Sequence, residues 1–483
     1  MATATLLHPP PNHNPLLLRL RPRPRPQQHL YVHSLTHPTP LHPSKNPTNT
    51  TTASIKLAAS TVAHGMMSYY QGNLTGQTPG LLPDGYYWWE CGAMFMQLIN
   101  YWHYTDDTTY NDNVKTGMLF QVGPDDDFMP PNQTTTEGND DQVFWAFAAM
   151  RAAETNFSNP DSSQPSWLAL VQAVFNEQAG RWDTAACNGG LRWQIYSFNS
   201  GYNYKQTVSN GGLMAMGARL ARYTGNATYA DWAVKVWDWV QDSVLMTDAY
   251  LLYDGSSTTV NCSTADTLLW TYNQGVFLMA AAFMYNYTNG SSTWEGRVSG
   301  LLNSTSAYLS TASGYSNVLT EVECEPSLDC DTDEVTFKGF LAQWLAETAQ
   351  MAPFTKDTVM TILQASASAA AASCDGGSDG VTCGMSWLTT TWDGKYGVGE
   401  QMSSMAVIQS TLIESAVAPY TNTTGGSSQG DASAGTGTET ASEDEPYVLT
   451  TVTTGDKAGA AIMTILICSG VIGGTMWMIL GPE

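Results

Sequence analysis

Two carboxylates, Asp140 and Asp141, stand side by side in the stretch TEGNDDQVFWAFAAM (136–150), where a polar segment gives way to an apolar, aromatic one. Two roles fit such a pair. The structural role is helix capping: Asn139 is a good N-cap, Gln142 follows three residues later as in a capping box, and acids in a first turn favour the positive end of the macrodipole. The catalytic role is glycosidic bond cleavage with retention, which needs a carboxylate nucleophile and a carboxylic acid about 5 to 5.5 Å apart. Neighbouring residues in a first helical turn point roughly 100° apart, so their carboxyls can flank one bond. The helix N-terminus holds one member ionised, and that charge raises the pKa of the other.

The elements that must position the pair are helical. Apolar residues recur at helical spacing in twelve segments, 54–70, 88–104, 106–122, 139–154, 165–180, 208–223, 228–243, 265–287, 294–311, 334–351, 355–373 and 398–417. The spacing predicts an all-α protein. Even-numbered segments are apolar nearly all round and rich in Gly, Ala and Met, whereas odd-numbered ones carry a polar face. Six buried helices paired with six amphipathic ones describe a double ring, with a helical solenoid as the competing layout.

In an up-down ring the inner helices run the same way, so the segments leading into them converge at one mouth: LPDGYYWWE, TTTEGNDDQ, YKQTVSNGG, STADTLLWTYNQG, DEVTFKGF and KYGVGEQM. Tyr87, Trp88, Trp89 and Trp193 are candidates for stacking on sugar faces, or for packing. Asn210, Asp266, Tyr272, Asn273, Gln274 and Lys338 are candidates for holding sugar hydroxyls, or for tying the structure together. The insertions 181–204 and 246–262, read as hairpins, would wall the mouth. Asp329, Asp331 and Asp333 begin like a calcium loop, but Glu334 occupies its Gly position, which rules out an EF-hand.

The whole chain of 483 residues carries a net charge of −24, and residues 1–50 hold five basic residues and no acid, so the body is more acidic still. Such a body repels phosphate backbones, which excludes nucleic acid as a partner. Asn-x-Ser/Thr sequons stand at Asn49, Asn73, Asn132, Asn156, Asn226, Asn261, Asn286, Asn289, Asn303 and Asn422, favouring passage through the secretory pathway. Among the cysteines, Cys324/Cys330 and Cys374/Cys383 are short-range pairs and Cys187/Cys262 can tie two loops, leaving Cys91 a buried thiol and Cys468 in the tail; spacing does not fix connectivity. No zinc-type cluster of Cys and His stands outside the leader, so no metal or cofactor is expected.

The C-terminus ends in an apolar run, 458–480, preceded by a Ser/Thr/Gly-rich stretch, 421–455. Small residues, a polar spacer and a terminal hydrophobic tail read as a glycosylphosphatidylinositol (GPI) attachment signal, with a plain membrane span as the alternative. A signal peptide should accompany it, yet residues 1–50 contain no apolar core of that kind. The expected organisation is a disordered leader or mis-assigned start (1–53), a catalytic domain (54–419), a linker with the anchor site (420–457) and a hydrophobic tail (458–483).

The motifs GNDDQVFWA (138–146), LPDGYYWWECGAMF (82–95), CNGGLRWQI (187–195), WTYNQG (270–275) and FKGF (337–340) resemble glycoside hydrolase family 76, most of all its fungal GPI-anchored cell-wall members, the mannan endo-1,6-α-mannosidases. The resemblance spans about 54–419 and includes the tail; the leader departs from it. It implies an (α/α)6 barrel in which Asp140 is the nucleophile and Asp141 the acid/base. It also implies a monomer anchored through GPI, taking α-1,6-mannan or a GPI-core glycan as donor and passing it to water or to a β-glucan acceptor. A wall-anchored mannan-binding protein with an inert pair is the rival from another class.

Overall fold

The computed structural model describes residues 51–436; the leader up to residue 50 and the apolar tail lie outside the described residues. Twelve α-helices dominate: α1 (Thr52–Met67), α2 (Trp88–Thr105), α3 (Asn111–Phe120), α4 (Asn139–Thr155), α5 (Trp167–Gly180), α6 (Thr207–Thr224), α7 (Ala227–Asp242), α8 (Thr271–Tyr287), α9 (Ser292–Ser304), α10 (Glu334–Met351), α11 (Lys356–Ala372) and α12 (Val398–Ser410). The first begins two residues earlier than expected because Thr51 and Ser54 form a reciprocal capping box. Residues 265–270 do not join α8: Ala265 and Asp266 form a strand, and the backbone N–H of Thr271 is capped at 3.0 Å by Glu321.

Burial follows the alternation of the sequence. In α4 every residue except Asp140 and Asp141 is buried. In α7 the buried residues are Tyr229, Ala230, Ala233, Val236, Trp237 and Val240, the stripe of a helix with one wet face. Helix α2 packs on α4, α4 on α6, α6 on α8, α8 on α10, α10 on α12, and α12 on α2. The odd-numbered helices pack outside these, α1 on α12, α3 on α2, α5 on α4, α7 on α6, α9 on α8 and α11 on α12 and α10.

Small residues let the buried helices approach. A Cβ on Gly339 of α10 would lie 2.6 Å from the Cα of Ser403 on α12, a backbone neighbour that cannot swing away. Gly339→Ala is expected to cost about 1–3 kcal/mol of stability, read by denaturant titration, because it forces two packed backbones apart. Between the helices the axis is filled by rings: Trp89 lies 4.6 Å from Phe144, Phe144 lies 4.9 Å from Phe340, and Phe147 lies 6.0 Å from Trp344. Any cleft at the N-terminal ends is therefore floored.

The two long insertions do not make separate hairpins as expected. Strand β1 (Tyr204–Gln206) pairs antiparallel with β2 (Gly255–Ser257), and β2 with β3 (Ala265–Asp266), so the sheet joins the insertions to each other. The Cys187–Cys262 disulfide fastens the same junction; Cys324–Cys330 and Cys374–Cys383 are also bonded, and Cys91 is a buried free thiol.

The described part of the expected linker is a strap. Asn156 donates to Gly425 O (3.0 Å) and accepts from Ser427 N (2.9 Å), Ser428 caps the N–H of Leu168 (3.0 Å), and Asn176 donates to Ala434 O (2.7 Å). Its Ser- and Gly-rich composition suits this role, since small residues let a backbone lie flat on side-chain amides of the outer wall. Among the described residues no helix is long and apolar enough to cross a membrane.

Candidate active site

The N-terminal ends of α2, α4, α8 and α10 bring acids and aromatic rings together. Gly138, not Asn139, is the N-cap of α4, and Asp141 supplies the capping contact by accepting the Gly138 N–H at 2.6 Å. Glycine is required there: a Cβ would fall 2.3 Å from Asp140 Oδ1 and 3.1 Å from Trp193 O.

Asn139 and Gln142, freed from capping, clamp the helix end. The Asn139 N–H donates to Trp193 O (2.8 Å), its Nδ2 to Arg192 O (2.9 Å), and its Oδ1 accepts from Arg181 (3.1 Å). Gln142 accepts from Arg181 (2.8 Å) and donates to Glu177 (2.9 Å). The end of α5 and the first insertion thus fix the direction in which Asp140 and Asp141 leave the helix.

Both carboxyls hold protons more tightly than ordinary aspartates. Burial raises Asp141 from 3.8 to about 6, against the opposing Gly138 N–H. Burial and then the neighbouring Asp141 raise Asp140 well above its ordinary value, opposed by the backbone N–H groups of residues 140 and 141. Two acids this close titrate as a pair, so the roles of the members are read from their contacts and not from the order of proton loss. The pair keeps both protons at low pH, and the singly ionised form that double displacement needs becomes populated as pH rises through about 6. The acid limb of kcat/KM is expected near pH 6; a limb near 4 would mean ordinary, uncoupled aspartates. For stability the sign is opposite: the raised pKa of Asp141 favours folding fully below pH 3.8, and that contribution is lost as pH passes about 6.

Of the other expected residues, the structure gathers some at this mouth. Tyr87 is 57% exposed at the start of α2 and feels the charges of Asp333, Asp331, Glu90 and Asp141. Trp89 forms the floor, and Trp193 lies against Gly138 beside Asp140. Tyr272 stacks on Phe337 at 3.8 Å, its hydroxyl accepts from Gln206 at 3.2 Å, and it feels Asp254, Asp140 and Asp333. Asn273 points its Nδ2 at Asp254 (3.5 Å) and keeps a buried, partnerless Oδ1. Asp266 is exposed on β3, where its carbonyl accepts from the Asp254 N–H.

Four candidates are committed elsewhere. The Trp88 indole donates to Gln121 (2.9 Å) and stacks on Trp145, so it packs towards α3. Asn210 is fully buried and spends its amide on Leu191 and Gln206 backbone. The Gln274 amide nitrogen ties α8 to Tyr250, Leu301 and Ser304. Lys338 pairs with Glu325 (2.9 Å) and donates to Met385 O (2.6 Å) inside the protein. The direction of these side chains depends on tertiary neighbours that spacing does not reveal.

Two further acids stand at the mouth, Asp254, which the sequence did not single out, and Asp333, which it offered only as part of a calcium-like run. Asp254, raised to about 6 by burial, accepts from the Tyr204 hydroxyl at 2.7 Å; nothing in its local sequence marks it. Asp333 precedes α10 as the Asp pair opens α4, and that parallel was the available signal. Cys324, Cys330 and Glu334 form the one metal-like grouping among the described residues, but its two sulfurs are joined in a disulfide and offer no thiolate.

A pair of adjacent carboxyls presented at a helix end, with indole and phenol rings around it, is the equipment of an enzyme that cleaves glycosidic bonds. The chain belongs to glycosyl hydrolase family 76, whose model matches residues 54–423. It is 46% identical over 430 residues to the mannan endo-1,6-alpha-mannosidase DCW1 of Saccharomyces cerevisiae, covering 88% of this chain and 93% of that protein. With the mannan endo-1,6-alpha-mannosidase DFG5 of the same yeast it shares 44% identity over 432 residues, 89% of this chain and 93% of that protein. The crystal structure of Dfg5 from Chaetomium thermophilum in complex with glucosamine superposes with a TM-score of 0.77 at 42% identity, covering 81% of this chain and 98% of that one.

Proposed function

We propose that the protein is a retaining α-1,6-mannan-active glycosidase working as a transglycosidase at the cell wall. The observation that carries this reading is that Asp140 and Asp141 are the two residues of α4 left accessible, beside aromatic rings; the similarity to mannan endo-1,6-alpha-mannosidases supplies the linkage. The fold is proposed to be an (α/α)6 barrel of six helical hairpins, a reading supported by the return of α12 to α2.

In the first step Asp140, whose carboxyl is faced by backbone N–H groups, attacks the anomeric carbon. Asp141 passes its proton to the departing glycosidic oxygen, leaving a glycosyl ester on Asp140 and a carboxylate on Asp141. In the second step Asp141 takes a proton from the incoming hydroxyl, whose oxygen displaces Asp140 and restores the α-linkage. Water as the incoming group gives hydrolysis; a β-glucan hydroxyl gives transfer of a mannan or GPI-core donor onto the wall. Three disulfides and the exposed sequons at Asn73, Asn132, Asn226, Asn261, Asn289, Asn303 and Asn422 support a secretory route, and the C-terminal run supports GPI anchoring outside the plasma membrane.

Incubation with α-1,6-mannan or a GPI-core oligosaccharide plus a β-glucan oligosaccharide, followed by mass analysis, tests this. An acceptor-linked mannosyl product is expected. Free reducing fragments with no transfer product would reduce the proposal to hydrolysis, and intact mannan under all conditions would overturn it.

A further inference from the structure

Asp333 is the N-cap residue of α10, yet it makes no side-chain cap hydrogen bond to its own helix. That task falls to Asp331, whose Oδ1 accepts from the N–H groups of Asp333 and Glu334, both at 3.1 Å. Asp333 is thereby released from the role a capping aspartate usually plays. Its carboxyl is turned instead towards α2, where Oδ1 accepts from the Trp89 indole at 3.0 Å.

This contact has a direction. Trp89 bridges the axis between α4 and α10, with ring centroids 4.6 Å from Phe144 and 6.0 Å from Phe340. The carboxyl it holds shares the mouth with the catalytic pair, for Asp333 is felt by Asp140, by Tyr87 and by Tyr272, and itself feels Asp141. Among the described residues the Trp89 indole is the one hydrogen-bond donor to this carboxyl. Burial, followed by the charge of Asp331, raises its pKa to about 8. A half-buried carboxyl with one lone donor is unfavourable unless a ligand completes its hydrogen bonds.

We propose that Asp333, held by Trp89, is a substrate-binding residue whose Oδ2 takes hydroxyls of the donor sugar lying between α10 and the Asp140/Asp141 pair. This rests on the mannan reading above and adds the residue that positions the donor from the wall facing the catalytic pair. The ligand chemistry is a neutral pyranose offering adjacent hydroxyls: the carboxyl reads them in the plane of the ring while Trp89 supports it from below.

The test is calorimetric titration of α-1,6-mannotriose into Asp140→Asn protein, alone and combined with Asp333→Ala, Asp333→Asn or Trp89→Phe, with KM and kcat measured for the variants at 333 and 89 alone. Binding by Asp140→Asn is expected to weaken about 10- to 100-fold on adding Asp333→Ala, the value for a lost hydrogen bond to a charged or polarised group. Asp333→Asn, which keeps one oxygen and the shape, should lose less. Trp89→Phe keeps a ring but frees the carboxyl, and should raise KM more than it lowers kcat, a split that loss of fold does not produce. Binding and KM within twofold across these variants, with Asp140→Asn itself binding normally, would overturn the proposal alone. No binding by Asp140→Asn would remove the mannan reading and this proposal with it.

Discussion

Asp140→Asn is expected to lower kcat by at least about 10⁴-fold while leaving the fold and the affinity for mannan within a few-fold of wild type. The magnitude follows from the role: without a carboxylate there is no glycosyl ester to form, and the remaining groups only position the substrate. The substitution conserves shape and keeps an amide oxygen that can accept from the backbone N–H groups of residues 140 and 141, so stability should hold. Asp141→Asn gives a different signature. Its loss is smaller for donors whose leaving group departs without protonation, because only the proton is missing. Unchanged turnover in Asp140→Asn would move the nucleophile to another carboxyl, such as Asp333 or Asp254.

The largest stability effect is expected far from that mouth. Arg219 of α6 and Glu154 of α4 are both fully buried and meet at 2.6 Å through Nη2, with a second contact of 3.3 Å through Nε. The guanidinium also faces the rings of Phe147 and Phe283 at 5.7 and 5.5 Å. The net contribution of a buried pair can be small, but breaking it leaves one charge uncompensated in a dry interior. Glu154→Ala is expected to cost about 3–5 kcal/mol in denaturant titration, whereas the double variant Glu154→Ala, Arg219→Met should regain much of that by removing both charges. Below its melting transition the single variant should turn over substrate normally, since the pair lies near the C-terminal ends of α4 and α6. A cost under 1 kcal/mol would mean that Arg219 finds a substitute partner such as Glu347.

The helices were legible because their pattern has one cause. In α4, where every residue but two is buried, most residues are apolar or small, whereas in α7 the buried residues form a single stripe. The Asp pair stood out for the converse reason: two aspartates at the start of an otherwise buried helix call for an opening above them. Capping misled where it competed with function. Asn139 and Gln142 look like a cap and its box partner, but both are drawn away by Arg181, Glu177 and Gln178, which are distant in sequence. Lys338 and Gln274 failed as hydroxyl holders for the same kind of reason, as Glu325 and Ser304 reach them only once the chain has folded. The strap was misread because Ser, Thr and Gly suit a free linker and a backbone laid along a wall of amides equally well.

The neighbouring carboxyls of Asp140 and Asp141 are proposed to cleave an α-1,6-mannosidic bond by double displacement. Following the anomeric proton of the first-formed product by NMR during α-1,6-mannan cleavage tests it most directly. The α-anomer appearing first, before mutarotation, is the predicted result; a β-anomer appearing first would contradict it.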